Sequence, residues 1–489
     1  MAFKPFERAK TLLDASLRIE PGDHVPPLVA ANFRHNAIVN TVDLMFFFFA
    51  DSFWSINTII PVFAATLTDS PFLIGLMPAI VNAGWFLPQL FMSGYVSRLP
   101  KVVPLSIKLG IFERVSYLFF PILALLIPSI PKSTALTLLI ILMVWRGLAG
   151  GFSALPWQEV MARVIPITHR ARFYGFSRVL GQIMGVIASA ISAAVLARYR
   201  YPYGYAIGFG IAVVAQWISF AAYSQNRDPG TNSAQELAEF TSAGSALEAD
   251  PPAAPLSAET TPFAPPETPP PAPGLASGGL ALFRTILKED KNFRLYLLAR
   301  SISFLGNMGS AFLAVYAIQT FHLSDESAAI FTGVLFLSGI FGYALWGSVG
   351  DRIGPKRIVV ISFLFWVGAM VVALASRQVW VYYLAFVFFG LYNAGMNVGD
   401  SILVMELGHE SLRPTYLGMA RTLTGIFLLL APILAGWLVQ VSGYPLMFWL
   451  SVAFTLLAAV LMNQVRDVPR GERPQLSAEQ KLQPLEEQK

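Results

Sequence analysis

The chain has 489 residues, of which 55% are hydrophobic and 13% charged, with no cysteine and a formal net charge of +5. Soluble domains carry about 25% charged residues, so this chain lacks the charge to coat soluble cores. A membrane solvent accounts better for its mean hydropathy of +0.58. The missing thiols exclude disulfides, thiolate metal sites and cysteine nucleophiles.

Residues 1–35 form a cytoplasmic N-terminal segment. Its start, MAFKPFERAK, has no apolar core followed by a small-residue cleavage site, so no cleaved signal peptide is expected. Spanning helices need about 20 mostly apolar residues. Twelve such runs follow, near 36–66, 73–97, 103–129, 134–164, 173–197, 203–224, 293–320, 326–350, 357–376, 379–407, 414–440 and 443–464. After the sixth, the composition changes. Residues 225–290 include EADPPAAPLSAETTPFAPPETPPPAPG, too poor in large apolar groups to offset ordering entropy, and read as a disordered cytoplasmic linker. The expected fold is an all-α membrane protein of twelve transmembrane helices, arranged as two six-helix halves over 36–224 and 291–465, with a cytoplasmic tail over 466–489.

Basic residues set the orientation. One side of the alternation collects Lys4, Arg8, Lys10, Arg18, Arg34, Arg98, Lys101, Arg163, Arg170, Arg172, Arg352, Lys356, Arg357 and Arg413, whereas the other holds Lys132, Arg198, Arg200 and Arg377. This bias predicts cytoplasmic termini in a plasma (inner) membrane and explains the basic excess without nucleic-acid binding.

Sliding the second half on the first by 243 residues aligns 144–180 with 387–423. Gly147/Gly390, Arg170/Arg413, Gly175/Gly418 and Arg178/Arg421 are among the coincidences. Two repeated halves are a transporter design, with a substrate site near the midplane between them.

In the stretch WGSVGDRIGPKRIVV, Gly347 permits close helix approach and Gly354 suits a left-handed turn. Pro355 opens the next helix, and Arg352, Lys356 and Arg357 hold the loop on the cytoplasmic side. The stretch resembles the signature loop of the major facilitator superfamily, which joins the second and third helices of each half. The resemblance implies a cytoplasmic latch in which Asp351 meets the start of the fifth span, near Arg170 and Arg172. An ordinary solvated turn is the alternative. The first half keeps only an eroded copy, with Ser97 and Pro100 at the expected Asp and Gly positions. VWRGLAGGFSALPWQ is similar to the superfamily's fourth-span motif, with Arg146 followed by Gly150, Gly151, Ser153 and Ala154. GQIMGVIAS keeps Gly181 and Gly185 of the antiporter motif but has Val186 for its proline, so antiport is not supported.

Ionisable groups at bilayer depth are costly and are functional candidates. Asp43 and Asp51 lie in span one, Glu113 and Arg114 in span three, and Arg146 in span four. The resemblance implies that the first and fourth helices of each half line the cavity, which would bring Asp51 and Arg146 together. Asp51 is then the candidate proton carrier, with Arg146 as its switchable partner; a static ion pair is the competing reading. Asp43 is a candidate relay and Glu113 a second proton site. Arg300, Asp400 and Glu406 are expected to make gate-closing contacts. For the substrate cavity the candidates are Phe53, Asn57, Trp85, Gln89, Asn307, Tyr316, Asn393 and Asn397. Helix–helix glue is the commoner role for such polar groups.

The chain has no GxxxxGK[ST] loop and no HExxH, so direct ATP use, a metal site and enzymatic catalysis are not expected, nor is a cofactor. The sequence thus points to a monomeric secondary carrier whose partners are a small-molecule substrate, protons and membrane lipid. A passive facilitator and a non-transporting membrane binding or assembly protein of the same fold are the alternatives.

Overall fold

The computed structural model describes residues 25–96, 99–228, 279–407 and 412–466. Nearly all are helical, as backbone in lipid must satisfy its polar groups within the segment. The first half contains α1 (Pro27–Asp51), α2 (Ile59–Leu67), α3 (Pro71–Val96), α4 (Val103–Leu126), α5 (Lys132–Val164), α6 (Ile167–Arg198) and α7 (Tyr203–Tyr223). A short α8 (Gly279–Glu289) leads into the second half. There follow α9 (Lys291–Gly306), α10 (Leu313–Phe321), α11 (Glu326–Ile353), α12 (Pro355–Ala375), α13 (Val379–Leu407) and α14 (Arg413–Gln464).

Among the described residues, eleven helical stretches are long and apolar enough to cross a membrane. The longest is broken at Gly443, whose φ of 78° and ψ of 174° are not helical. This break divides α14 into two spans, so the chain crosses twelve times, with α1–α2 and α9–α10 each forming one crossing.

The two halves repeat one packing scheme. In the first, α1 packs on α6 and α7, α3 on α5, and α4 on α5 and α7. In the second, α9 packs on α14, α11 on α13, and α12 on α13 and α14. Small residues allow the closest approach. A Cβ on Gly84 would lie 2.4 Å from the Gly147 carbonyl carbon, and one on Gly151 would lie 2.2 Å from the Gly84 oxygen. The small face expected on span four is therefore the α3–α5 seam.

The halves meet along α3 with α14 and α6 with α11, and they meet toward one end. We call this the far end; it carries the turns at 68–70, 199–202, 322–325 and 376–378. There a Cβ on Gly75 would lie 2.3 Å from the Pro432 oxygen, and one on Gly436 would lie 2.6 Å from the Pro71 oxygen. The Thr58 and Thr332 hydroxyls join α2's start to α11 at 2.5 Å. At the near end, where α1 begins, Cβ atoms on Gly175, Gly347 and Gly418 would meet nothing within 4 Å. The close approaches between the halves thus gather toward the far end, whereas these near-end glycines face open space.

Several boundaries differ from expectation. Helix α1 starts at Pro27 rather than near 36, because a proline in the first turn lacks only an N–H that would be unpaired anyway. Most of the expected linker lies outside the described residues, but both its edges are built. At the first edge, Asn226 and Asn40 exchange amide hydrogen bonds of 2.6 and 2.9 Å, and Asp228 Oδ2 accepts from Val102 N at 2.9 Å, capping α4. At the second edge, α8 buries Ile286 while Arg284 and Lys288 stay exposed.

Candidate functional site

The first crossing of each half is interrupted at the same depth. After Asp51 the helix tightens over Ser52–Trp54, and α2 resumes only at Ile59. After Gly306 it tightens over Asn307–Ala311 before α10. Irregular backbone at membrane depth is tolerated where it lines a cavity, and broken helices in corresponding positions mark transporter sites. Here they do line one. A cavity of about 170 Å³ lies between the halves, with Ile56 and Asn57 from the first break and Asn307 and Ser310 from the second. Asn82 of α3 and Asn393 of α13 complete its polar wall; Phe304 and Phe389 are among its apolar residues.

Three of the eight cavity candidates are therefore in place: Asn57, Asn307 and Asn393. Asn397 is one turn further along α13, exposed, and donates to the Asn393 carbonyl at 2.8 Å. The other four lie elsewhere. Phe53 is buried in the first half's core, 5.7 Å from the Phe49 ring. Trp85 covers Gly150, and Gln89 turns back to the Trp85 carbonyl at 2.7 Å. Tyr316 packs 5.1 Å from both the Tyr444 and Phe448 rings.

The first half holds a cluster of charged side chains at the depth of its spans. Arg146 Nη2 reaches Asp51 Oδ1 at 3.5 Å, and its Nε approaches the Tyr117 hydroxyl at 3.5 Å. Tyr117 in turn donates to Glu113 Oε1 at 3.4 Å. Glu113 is held more closely by Arg114 at 2.8 Å and by Ser153 at 2.5 Å. Asp43 accepts from Ser219 at 2.5 Å and Trp157 at 3.3 Å, tying α1 to α7 and α5. The structure thus brings Asp51 and Arg146 together as expected. It separates Asp51, 35% exposed at its side chain, from the enclosed Asp43 and Glu113, which are 3% and 6% exposed.

The second half answers with one pair. Arg300 of α9 donates to Asp400 Oδ2 of α13 at 3.1 Å, and Tyr296 donates to Oδ1 at 2.9 Å. The Arg300 guanidinium also lies 4.1 Å above the Phe304 ring, at the cavity wall. This pair joins two helices of one half. Glu406 lies near the last described turn of α13.

At the near end, Gly354 has the expected positive φ of 80°, although its ψ of 159° is extended rather than left-handed helical. Pro355 opens α12 as anticipated. Lys356 Nζ donates to the Val465 carbonyl at 3.0 Å, within its own half, whereas Arg352 and Arg357 are exposed. Arg170 caps α5 by donating to the Ala162 and Ile165 carbonyls, and Arg172 is exposed. The Asp351 side chain is outside the described residues, as are Ser97 and Arg98. Arg163 clamps the remains of the first-half loop, donating to the Leu99 and Pro100 carbonyls at 3.1 and 3.0 Å.

At the far end, Asp325 faces Tyr205 across the halves. Burial pushes its carboxyl above the ordinary value, and the adjacent Glu326 adds to the rise, while Tyr205 opposes it.

Comparison with known proteins bears on the architecture. The model of the Major Facilitator Superfamily matches residues 296–488. An uncharacterized MFS-type transporter of Methanocaldococcus jannaschii is 28% identical over 170 residues, 33% of this chain and 42% of that one. The cis,cis-muconate transport protein of Acinetobacter baylyi is 27% identical over 156 residues, 31% of this chain and 37% of that one. The matched segments thus span about two-fifths of either relative. Over nearly its whole length the fold is similar to the crystal structure of a D-xylose-proton symporter, with a TM-score of 0.64 at 15% identity, covering 90% of this chain and 99% of that one. The second half of the chain is thus similar to the Major Facilitator Superfamily, and it carries the signature stretch at 347–357.

Proposed function

We propose that the protein is a secondary carrier that moves a small solute across the plasma membrane by alternating access, coupled to protons, with both termini in the cytoplasm. The observation that carries this reading is a cavity between the halves, built from two broken helices, the first of which breaks just after the Asp51 that pairs with Arg146. The close approaches between the halves gather toward the far end, and the near end is under this orientation the cytoplasm. The basic loops of that end support the orientation.

The charge count supports coupling. Asp43, Asp51 and Glu113 supply three carboxyls against the two guanidiniums of Arg114 and Arg146. One carboxyl is therefore in excess, and an uncompensated charge at this depth is costly. Asp51 is the carboxyl that a proton reaches, as the other two are enclosed and hydrogen-bonded. Protonation releases Arg146, and deprotonation when the cavity faces the other side restores the pair. Coupling then arises because proton and solute each bind the two facing states unequally. The similarity to a D-xylose-proton symporter is consistent with such a cycle.

Reconstituted vesicles test this. A solute taken up by the wild type should carry protons with it, read as alkalinisation of the medium. Asp51→Asn should keep solute exchange but lose both proton movement and the response to a pH gradient. Transport by Asp51→Asn that still follows the gradient would sink the coupling role.

A further inference from the structure

The cavity's own chemistry narrows its cargo. Four carboxamides converge in it, from Asn57, Asn82, Asn307 and Asn393, with Ser310 beside them. Among the described residues, the side chains of Asn57, Asn82 and Asn393 make no hydrogen bond within the protein, and the buried Nδ2 of Asn307 has only the Tyr392 hydroxyl nearby, too poorly placed for a regular hydrogen bond. Polar groups at such depth are normally satisfied, so four carboxamides with unused capacity in one place point to a ligand that meets them. Each offers two N–H donors and a carbonyl acceptor. A hydroxyl, which both donates and accepts, uses both sides of that set. A carboxylate only accepts and an ammonium only donates, so either leaves half of the set unused or opposed.

Charge points the same way. None of the residues lining the cavity is ionisable. The two nearest guanidiniums are already engaged, Arg146 by Asp51 and Arg300 by Asp400. Neither guanidinium lines the cavity and each faces a carboxylate, so an anion would meet no cation in the cavity wall. The volume of about 170 Å³ is small beside the roughly 300–1,000 Å³ of pockets that hold drug-sized ligands. The Phe304 and Phe389 side chains offer apolar surface for the C–H face of a ring.

Building on the carrier reading above, we propose that the cargo is an uncharged, hydroxyl-rich solute of about one sugar ring in size. Isothermal titration of the purified full-length protein would use D-xylose, D-glucose, ribitol and uridine against succinate, alanine and choline. The expected result is binding of at least one of the first four and of none of the last three. Asn57→Ala, Asn307→Ser and Asn393→Ala should each weaken it about three- to tenfold, as for one lost hydrogen bond. Size-exclusion profiles like that of the wild type show that these variants are folded.

Preferential binding of a charged solute, binding unaffected by the Asn57→Ala/Asn393→Ala pair, or no binding of any uncharged solute overturns the proposal. Vesicle assays separate this failure from failure of the carrier reading. Uptake of succinate with protons removes the substrate class and leaves the carrier, whereas bound xylose that never crosses leaves the class and removes the carrier.

Discussion

At the scale of single residues, the buried charges divide into groups that are held and one that is poised. Glu113 meets Arg114 at 2.8 Å, with side chains 8% and 10% exposed, and two hydroxyls point at it besides. Removing one partner of an enclosed pair strands the other, which typically costs about 3–5 kcal/mol. Asp51 differs, being a third exposed and 3.5 Å from its partner, so its loss belongs with pairs worth about 1 kcal/mol or less. Thermal unfolding in detergent should therefore show a large drop in Tm for Glu113→Ala and a small one for Asp51→Asn, while transport assays rank their coupling defects the other way. Equal drops would place Asp51 among the structural groups. The sequence located all of these residues because charge in an apolar run is conspicuous. It could not show which carboxyl was enclosed, since Ser153, Ser219 and Trp157 reach them from other helices.

At the scale of helices, most of the architecture follows from patterns along the chain. Apolar runs gave the twelve crossings. The breaks after Asp51 and Gly306 were equally present, as DSFWSINT and GNMGS, yet a count of apolar residues averages across such short polar interruptions. Looking for interruptions at matching places in the two halves would have found Ser310 and singled out Asn57 and Asn307. Asn82 had no comparable signal, because convergence across halves leaves no trace in spacing. Helix contacts make a further prediction. A side chain at Gly151 would drive into the Gly84 carbonyl, 2.2 Å from a Cβ, whereas Gly347 has open space. Gly151→Val should lower Tm sharply, since overpacking costs about 1–3 kcal/mol or more. Gly347→Val should leave Tm unchanged but slow transport, if the near end must close for α11 to complete the cycle. Wild-type transport by Gly347→Val would argue against closure at that surface.

At the scale of the whole molecule, the two ends are in opposite conditions, and a carrier must exchange them. The far end is joined by Thr58 with Thr332 and by the close backbone approaches at Gly75 and Gly436, and Asp325 lies within this closed surface. Its carboxyl stands above the ordinary value near 3.8 because burial disfavours the charge and Glu326 repels it, more than Tyr205 compensates. When the far end parts and water reaches Asp325, the carboxyl returns toward that ordinary value. Protonation therefore favours the closed far end. The preference is full below the ordinary value and is lost as pH rises through the raised one. Because the chain has no native cysteine, spin labels can be placed at Arg200→Cys and Arg377→Cys, exposed far-end positions in the two halves. The distance between them should lengthen in a growing fraction of molecules as pH rises across that window. In Asp325→Asn, which carries no charge at any pH, the short distance should persist throughout. The same pH profile in Asp325→Asn would assign the response to another group and leave Asp325 a passive part of the far-end contact.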